Sequence, residues 1–454
     1  MNQAKKYYQL IPEKVCNELP AISELLMPFI KGYSPDNLKE VISIVACHVR
    51  KDERPTPLSM AYINKLVPQG QFYLTGLIHL GIVQRSGQFI PGATCYKYDF
   101  APEYQSKYLS FPLNNAKLIL RIKTVWDELR KEDTKSIRGH SEQTTYLKQL
   151  TIADNFNDFI KSNYIEETDQ YNSVMGSATR IINGEIVYSV DNTSGRFHSN
   201  ITNMAKGLRP YLRIKGEPLA NIDIKNSQPY LSTIILTDPG KVSNMTKNPA
   251  FALLLQNLKY KDTQDIKKYI YLVASGQLYE YLMSEFLKEG LELTRTETKR
   301  QVLRILFARN RMPKEENNRK ARQIFKDRFP TVHRIFSKVR GSEKGDKFQN
   351  FKRFAILLQR IESYLMLDVI LKKIYKELPG TIAVTVHDSI MTGILTNNVE
   401  AVRKIMIDEL TLFVGFEPKT NIEGIIKEKE EKRKEEEEHT ISNHYVITNL
   451  VSLN

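Results

Sequence analysis

The sequence predicts a multidomain chain that mixes helices with strands, and three observations say so. At 454 residues it is too long for one hydrophobic core, and roughly two to four structural units are expected. Residues 36–100 pass from apolar residues at helical spacing to a strand–turn–strand pattern. From residue 196 onward, short β-branched runs such as NIDI and VTVHDSIMT are interleaved with amphipathic helical stretches.

Composition narrows the class. Hydrophobic residues make up 41% and charged residues 26%, which fits a globular chain and not a disordered one. No run approaches the ~18–20 apolar residues that a membrane span needs. The opening MNQAKKYYQLIPEK lacks the apolar core of a secretory signal. Cys16, Cys47 and Cys95 are an odd, sparse set without metal-type spacing, so a cytoplasmic protein without structural zinc is expected. The net charge of +14 favours a polyanionic partner, nucleic acid first, although anionic membranes also attract basic chains.

The elements follow in order. In DNLKEVISIVACHVRK (36–51), Leu38, Val41, Ile42, Val45 and Val49 recur at helical spacing. After the turn RPTP come a short helix around SMAYINKLV and a second, QFYLTGLIHL, stopping at Gly81. IVQRS, GQFIPGA and TCYKYDF then read as strand, turn, strand. Three helices and a hairpin are the pattern of a winged helix-turn-helix over residues 1–110, with 71–80 as recognition helix and the hairpin as wing. That helix carries few charges and winged helices also dock proteins, so DNA contact and a protein partner both stay open. LNNAKLILRIKTVWDELRK and YLKQLTIADNFNDFIKSNY, within 113–165, read as helical. INGEIVYSVDN (182–192) reads as a hairpin with Asn183-Gly184 at its turn. The charge run IKEKEEKRKEEEEH opens a tail (426–454) read as a solvated helix or a flexible end.

Chemistry enters with carboxylates inside apolar runs. Asp388 interrupts VTVHDSIMT, and Asp223 interrupts NIDI in PLANIDIKNSQPYLSTIIL. Buried carboxylates are expensive unless paired or bound to metal. Two of them on neighbouring strands could hold two Mg²⁺ ions about 3.5–4 Å apart, although either Asp could simply cap a turn. Between them lies TRTETKRQVLRILFARNR (294–311), where Arg295 and Lys299 are spaced i, i+4 and Leu303 and Phe307 extend roughly the same face. Two cations could grip a triphosphate and the ring could stack on a base. An amphipathic basic helix is the plainer reading of that segment by itself.

Taken together, these segments resemble the family A DNA polymerases and the related single-subunit RNA polymerases of phages and mitochondria. TVHDS (385–389) and NIDIKNSQ (221–228) are similar to the two palm carboxylate motifs, and R-x3-K-R-x-V-x4-F (295–307) to the fingers helix. SGRFHSN (194–200), FKDRFPTVHRIF (325–336) and LLQRIES (357–363) resemble stretches of the DNA enzymes. The six run in the family's order and span about residues 190–420. The resemblance implies an α+β chain: a right-hand polymerase with an antiparallel palm, behind a winged-helix-like domain. Residues 111–190 would be thumb and 191–425 palm and fingers, the fingers at about 240–350. It implies Asp223, Asp388 and the Ile224 carbonyl as ligands of two Mg²⁺ ions, with Mn²⁺ as the alternative. Arg295 and Lys299 would hold the triphosphate, Lys299 would protonate the leaving pyrophosphate, and Phe307 would stack near the nascent pair. Arg196 and Gln359 would meet the minor groove and His387 the primer terminus. The partners would be a DNA primer-template and nucleoside triphosphates, with no membrane.

Four positions depart from the family, one of them Ala308, where the usual residue is Gly. Gln228, five residues after Asp223, stands where the DNA enzymes carry Glu and the RNA enzymes Gly, and its bulk could still exclude a ribose 2′-OH. Phe307 stands for the usual Tyr, and Ser389 follows His-Asp as in the RNA enzymes. The minor-groove motifs and Gln228 favour a DNA polymerase. No Asp-x-Glu tripeptide occurs in the first 185 residues, so no 3′–5′ proofreading is expected, which would suit a mobile element or phage. An RNA-synthesising, primase-like or template-independent enzyme of the same fold is the first alternative. A catalytically silent nucleic-acid-binding protein is the second, and a two-metal nuclease the third.

Overall fold

A computed structural model describes residues 7–47, 56–91, 94–137, 139–166, 168–259, 262–341, 352–395 and 399–424, with the side chains of 131–136 excepted. The charged tail expected at 426–454 lies outside the described residues, as does the end of the helix expected at 36–51. The chain divides into two units, Met1–Val190 with His198–Pro218, and Asp191–Phe197 with Leu219–Asn454.

In the first unit, β1 (Tyr7–Pro12) leads into α1 (Glu13–Leu26) and α2 (Pro35–Cys47). There follow β2 (Thr56–Pro57), α3 (Met60–Leu66), α4 (Gly70–His79), β3 (Val83–Ser86) and β4 (Lys97–Phe100). These are the helices and hairpin strands expected, joined in a three-stranded sheet of order β2-β4-β3. Gly70 lets α4 approach α3: a Cβ there would lie 2.6 Å from Ile63 Cγ2. β5 (Tyr108–Leu113) pairs antiparallel with β1, Tyr7 opposite Leu113. Leu38, Val41, Ile42, Tyr73, Leu74, Tyr98, Phe100 and Trp126 belong to one buried cluster.

The unit continues with α5 (Ala116–Ser136), α6 (Ser141–Leu147), β6 (Leu150–Ile152), α7 (Phe156–Asn163), α8 (Asp169–Asn183) and β7 (Tyr188–Val190). After β8 (Phe197–Ser199) come α9 (Asn200–Asn203), β9 (Leu212–Ile214) and the start of β10 (Glu217–Ile224). Two expectations are corrected here. Residues 150–152, read as helical, form a strand paired with β9, so a tertiary partner overrides a short local pattern. Asn183-Gly184 is not a hairpin turn but the end of α8: Gly184, at φ 75°, is its left-handed cap. Asn183 instead clamps β1, accepting from Tyr8 N (2.8 Å) and donating to Tyr8 O (2.9 Å).

A buried carboxylate pair lies in the same unit. Tyr7 Oη bridges Glu185 Oε1 (2.7 Å) and Glu40 Oε1 (3.1 Å), Gln9 Nε2 donates to Glu40 Oε2 (2.8 Å), and Arg180 faces Glu185 at 3.5 Å. Burial first, with a contribution from the Glu185 charge, pushes Glu40 up to about 8 against the hydrogen bonds from Gln9 and Tyr7. A neutral Glu40 can donate to Tyr7 Oη while Tyr7 donates to Glu185, which gives every proton an acceptor.

The second unit starts the candidate motifs. β10 passes into α10 (Ser227–Ser232), α11 (Ile234–Thr237), α12 (Pro249–Gln256), α13 (Gln264–Ala274) and α14 (Leu278–Lys288). Next are α15 (Arg295–Phe307), α16 (Glu316–Arg328), α17 (Pro330–Arg340) and α18 (Lys352–Ser363). α18 runs through a π-helical segment, Tyr364–Ile370, into α19 (Leu371–Glu377). β11 (Ala383–Val386), β12 (Ser389–Gly393), α20 (Val399–Val414) and β13 (Thr420–Glu423) complete it. β10 lies between β12 and β13, and β11 lies outside β12, all antiparallel. The helices cover this sheet through Ile222, Ile224, Tyr230, Leu306, Phe325, Phe329, Phe354 and Leu358.

Helix ends in this unit are explicitly satisfied. Thr294 and Glu297 form a reciprocal capping box at the start of α15. Arg340, 1% exposed, donates to the Leu306 carbonyl (3.0 Å), to that of Ile305 and to Asn310 Oδ1 (3.0 Å), closing the other end of α15. Pro330 opens α17, and Asp265 Oδ2 accepts from Thr331 N (2.6 Å) and Val332 N (3.2 Å).

Because the fold raises the Glu40 pKa, its contribution to stability is full below the ordinary value of 4.5 and is lost as pH climbs towards about 8. Unfolding of the first unit, followed by fluorescence of the single Trp126, is therefore expected to weaken over that window. The slope is up to about 1.4 kcal/mol per pH unit. Glu40→Gln keeps both hydrogen bonds and should flatten the slope; an unchanged slope would show that Glu40 does not titrate there.

Candidate active site

The local pattern of β10 turns Asp223 away from the core. Ile222 and Ile224 are buried, and Asp223 between them is half-buried. Asp223 stands directly opposite Ser389 of β12 and, on its other side, Asn421 of β13. His387 and Asp388 are the two residues connecting β11 to β12, so Asp388 lies one position beyond the partner of Asp223. His387 has φ 58°, a left-handed conformation that tight hairpin turns demand and that a bulky residue adopts under strain. Ser389 Oγ donates to Val386 O (2.9 Å) and closes the turn.

A third carboxylate organises the surroundings. Glu362, 2% exposed at the end of α18, accepts from Arg196 through Nε to Oε1 (2.8 Å) and Nη2 to Oε2 (3.0 Å). Gln228 Nε2 donates to the same Oε2 at 2.5 Å. Burial first and the Asp388 charge second push Glu362 up to about 7, against the Arg196 charge and the hydrogen bonds of Arg196 and Gln228. Gln359 sits one turn before it and is half-buried. Arg196 and Gln228, from two distant segments, thus converge on one buried group.

The cations of α15 lie at its first turns. Arg295 Nε donates to Glu280 Oε1 (2.6 Å) and its guanidinium lies 5.5 Å from the Tyr279 ring centre. Tyr279 is held well above the usual phenol range by burial, with Arg295 opposing and Asp388 reinforcing. Arg295 and Asp388 therefore lie within electrostatic reach of one ring. Burial pushes Glu280 up, but the Arg295 hydrogen bond, with the Arg295 and Lys225 charges, leaves it below its usual value. Lys299 is exposed one turn further on. Phe307, the last residue of α15, is half-buried and packs edge-on against Phe354, ring centres 6.1 Å apart.

The structure thus links Asp223 with Asp388, and Arg196 with Gln228. Glu362, Tyr279 and Glu280 are the additions that sequence reasoning missed. Glu362 carried a readable signal, a carboxylate inside the apolar LLQRIESYLML, the same sign that marks Asp223. Glu280 and Tyr279 carried none, since LYEYLMSEF looks like any amphipathic helix.

Among the described residues no group of three or more His, Cys, Asp or Glu gathers at metal-binding distance. Asp223 and Asp388 nevertheless suit a hard cation that takes one or two carboxylates and completes its shell from water and substrate phosphate, as Mg²⁺ does. The three cysteines are free thiols. No helix among the described residues is long and apolar enough to cross a membrane.

No protein-family model matches the chain, and no curated protein does. Among solved structures, the chain is similar to the POL domain of Pol1 from M. smegmatis in complex with DNA primer-template and dNTP, at 12% identity and a TM-score of 0.28. The match covers 52% of this chain and 47% of that one, so the chain spans about half the length of this neighbour. At that level the likeness carries no argument about function.

The coupling at Glu362 is measurable. Arg196→Ala and Glu362→Ala, alone and combined, should give a double-mutant coupling of about 1–3 kcal/mol in urea unfolding, because the carboxylate is buried. The exposed pair Lys372–Asp368, at 2.7 Å, should give no more than about 0.5 kcal/mol. Strict additivity at Arg196 and Glu362 would mean that the buried contact is not formed in solution.

Proposed function

We propose that this chain is a template-directed nucleotidyltransferase, a DNA polymerase without proofreading that extends a primer from deoxynucleoside triphosphates. The chief support is the β10–β12 register, which sets Asp223 opposite Ser389 and so draws Asp388 to the same end of one sheet. On this reading residues 1–110 are a winged-helix-like docking domain for DNA or a protein partner, 111–190 a thumb and 191–425 the palm and fingers.

Asp223 and Asp388, with the Ile224 carbonyl, would hold two Mg²⁺ ions. Such ions lower the pKa of the primer 3′-hydroxyl and neutralise charge at the reacting phosphate. The hydroxyl would give its proton to solvent as its oxygen bonds the α-phosphorus and the bond to the bridging oxygen breaks, releasing pyrophosphate. Lys299 would donate the proton that the leaving group takes up. Arg295 would exchange Glu280 for the triphosphate, a cheap exchange because both partners are about half exposed. Arg196 and Gln359 would meet the minor groove of the product duplex, and His387 the primer end. Phe307 would offer its free edge to the nascent pair.

Gln228 is where the sugar would be read. Its side chain is tied to Glu362 and not to an aromatic hydroxyl, since position 307 is Phe. A fixed amide above the sugar blocks a 2′-hydroxyl by bulk, which favours deoxynucleotides. Releasing it by Glu362→Ala should relax that choice.

Extension of a primed DNA template with Mg²⁺ tests the reading. Asp223→Ala and Asp388→Ala should each lower the rate by at least about 10³-fold, and Lys299→Ala by about 10²-fold. Full activity in either Asp variant would overturn the assignment, and preferential use of ribonucleotides would overturn the choice of DNA as product.

A further inference from the structure

The hairpin of β3 and β4 ends in an exposed set of rings and cations. Phe89 is 55% exposed and Ile90 50%. The Phe89 and Tyr96 rings stack, with centres 6.1 Å apart and planes 29° from parallel. The Arg85 guanidinium lies over the same Tyr96 ring, 4.6 Å from its centre. Lys97, the next residue along β4, is exposed. Residues 83–98 hold these two cations and no Asp or Glu.

The tip is held in place by its own contacts. Tyr96 anchors it, since its ring packs against the buried cluster of the first unit and its carbonyl accepts from Leu58 N (3.0 Å). Ile90 and Thr94 exchange both backbone hydrogen bonds, each at 3.0 Å, and Thr94 Oγ1 donates to Gln88 O (2.8 Å). Those bonds fix the chain on both sides of Phe89. Gly87, at φ 78°, turns the chain away where the ladder ends at Ser86 and Lys97. Phe89 itself lies outside the buried cluster, so core packing does not account for its position.

A ring backed by one stacked neighbour leaves its outer face for a further flat ring, and unpaired bases supply such rings whatever their sequence. Guanidinium and ammonium groups beside it suit the phosphates that come with them. A duplex keeps its base faces inside the stack. The helix that would enter its major groove, α4, carries no Lys, Arg, Asp or Glu to read base edges. We propose that the β3–β4 tip is a stacking platform for single-stranded nucleic acid, with Phe89 taking a base, Tyr96 backing it, and Arg85 and Lys97 meeting the backbone. The proposal narrows the docking role of residues 1–110 to one class of ligand and does not require the polymerase reading.

The test uses the full chain in EDTA, without nucleoside triphosphates. Fluorescein-labelled oligothymidylate and oligouridylate, each about ten nucleotides long, and a blunt DNA duplex are titrated by anisotropy. A strand carrying 5-iodouracil is irradiated on the protein, and peptide mass spectrometry reports which ring lay against the base. The platform requires crosslinks at Phe89 or Tyr96 and tighter binding of a strand than of the duplex. It also requires a loss of about tenfold in Phe89→Ala and in Arg85→Ala that Phe89→Trp does not show. Phe89 and Arg85 are exposed, so the fold should survive, and circular dichroism checks it. Binding of thymidylate alone assigns the platform to DNA, of uridylate alone to RNA, and of both to either strand. Crosslinks only outside the hairpin, affinities indifferent to Phe89 and Arg85, or preference for the duplex would overturn the proposal. Primer extension by the Asp223 and Asp388 variants bears only on the other site, so the two readings fail separately.

Discussion

The register of β10 against β12 is the constraint on which the candidate site depends. Side chains alternate along a strand, so a slip of one residue would turn Asp223 into the core and Ile222 or Ile224 out of it. Burying an unpaired carboxylate costs several kcal/mol, and exposing two isoleucines forfeits about 2–3 kcal/mol each. The register is therefore pinned by the core and not by the carboxylates. Ile222 and Ile390 are both fully buried and directly paired, and they fix where Asp223 and Asp388 must fall. The hairpin turn does the rest, because only two residues connect β11 to β12.

Around that register, Glu362 joins segments that the chain keeps far apart. A carboxylate at 2% exposure is tolerable only with its lone pairs filled, and Arg196 and Gln228 fill them. The same contact commits part of each partner's hydrogen-bonding capacity. Arg196 has two of its donors aimed inward, leaving its remaining N–H groups for any external acceptor. Gln228 has one amide hydrogen committed and its carbonyl oxygen still to be satisfied. Glu362 therefore holds two neighbours in fixed orientation, and on the proposed reading it would be a positioning group. The π-helical segment that follows it, Tyr364–Ile370, lies one residue past Ser363, the kind of local distortion often found beside functional sites.

Much of this was legible in the sequence because the strongest signals are violations of pattern. Asp223 and Asp388 stood out as charges in apolar runs; Asp223 lies within strand β10, whereas Asp388 falls in the two-residue turn between β11 and β12. The capping box Thr294–Glu297 and the proline opening α17 are local signals too, although neither helix start was read from them. What could not be read depends on partners distant in sequence. Leu150–Ile152 becomes a strand only because β9 lies beside it. Asn183-Gly184 is chemically suited to both a hairpin turn and a helix end, and the clamp on Tyr8 accompanies the second. The Arg340 anchor and the Glu280 contact to Arg295 both require knowing which helices pack together.

The charge pattern of α15 shows why its side chains, and not its backbone, must do any anion binding. A helix N-terminus usually offers free N–H groups and a positive dipole end to an anion. Here Thr294 Oγ1 accepts from Glu297 N (3.3 Å), and Glu297 Oε2 accepts from both Thr294 N (2.8 Å) and Thr294 Oγ1 (2.7 Å). The cap thus satisfies part of the end and sets a carboxylate where an anion would otherwise sit. A triphosphate approaching this end meets a negative group first, and attraction must come from Arg295 and Lys299 reaching past it. At the far end, the carbonyls of Ile305 and Leu306 are satisfied by the buried Arg340. That arrangement takes up the negative end of the dipole inside the core. Both ends of one helix are in this way partly closed to backbone recognition, and its cationic side chains carry most of what it can offer an anion.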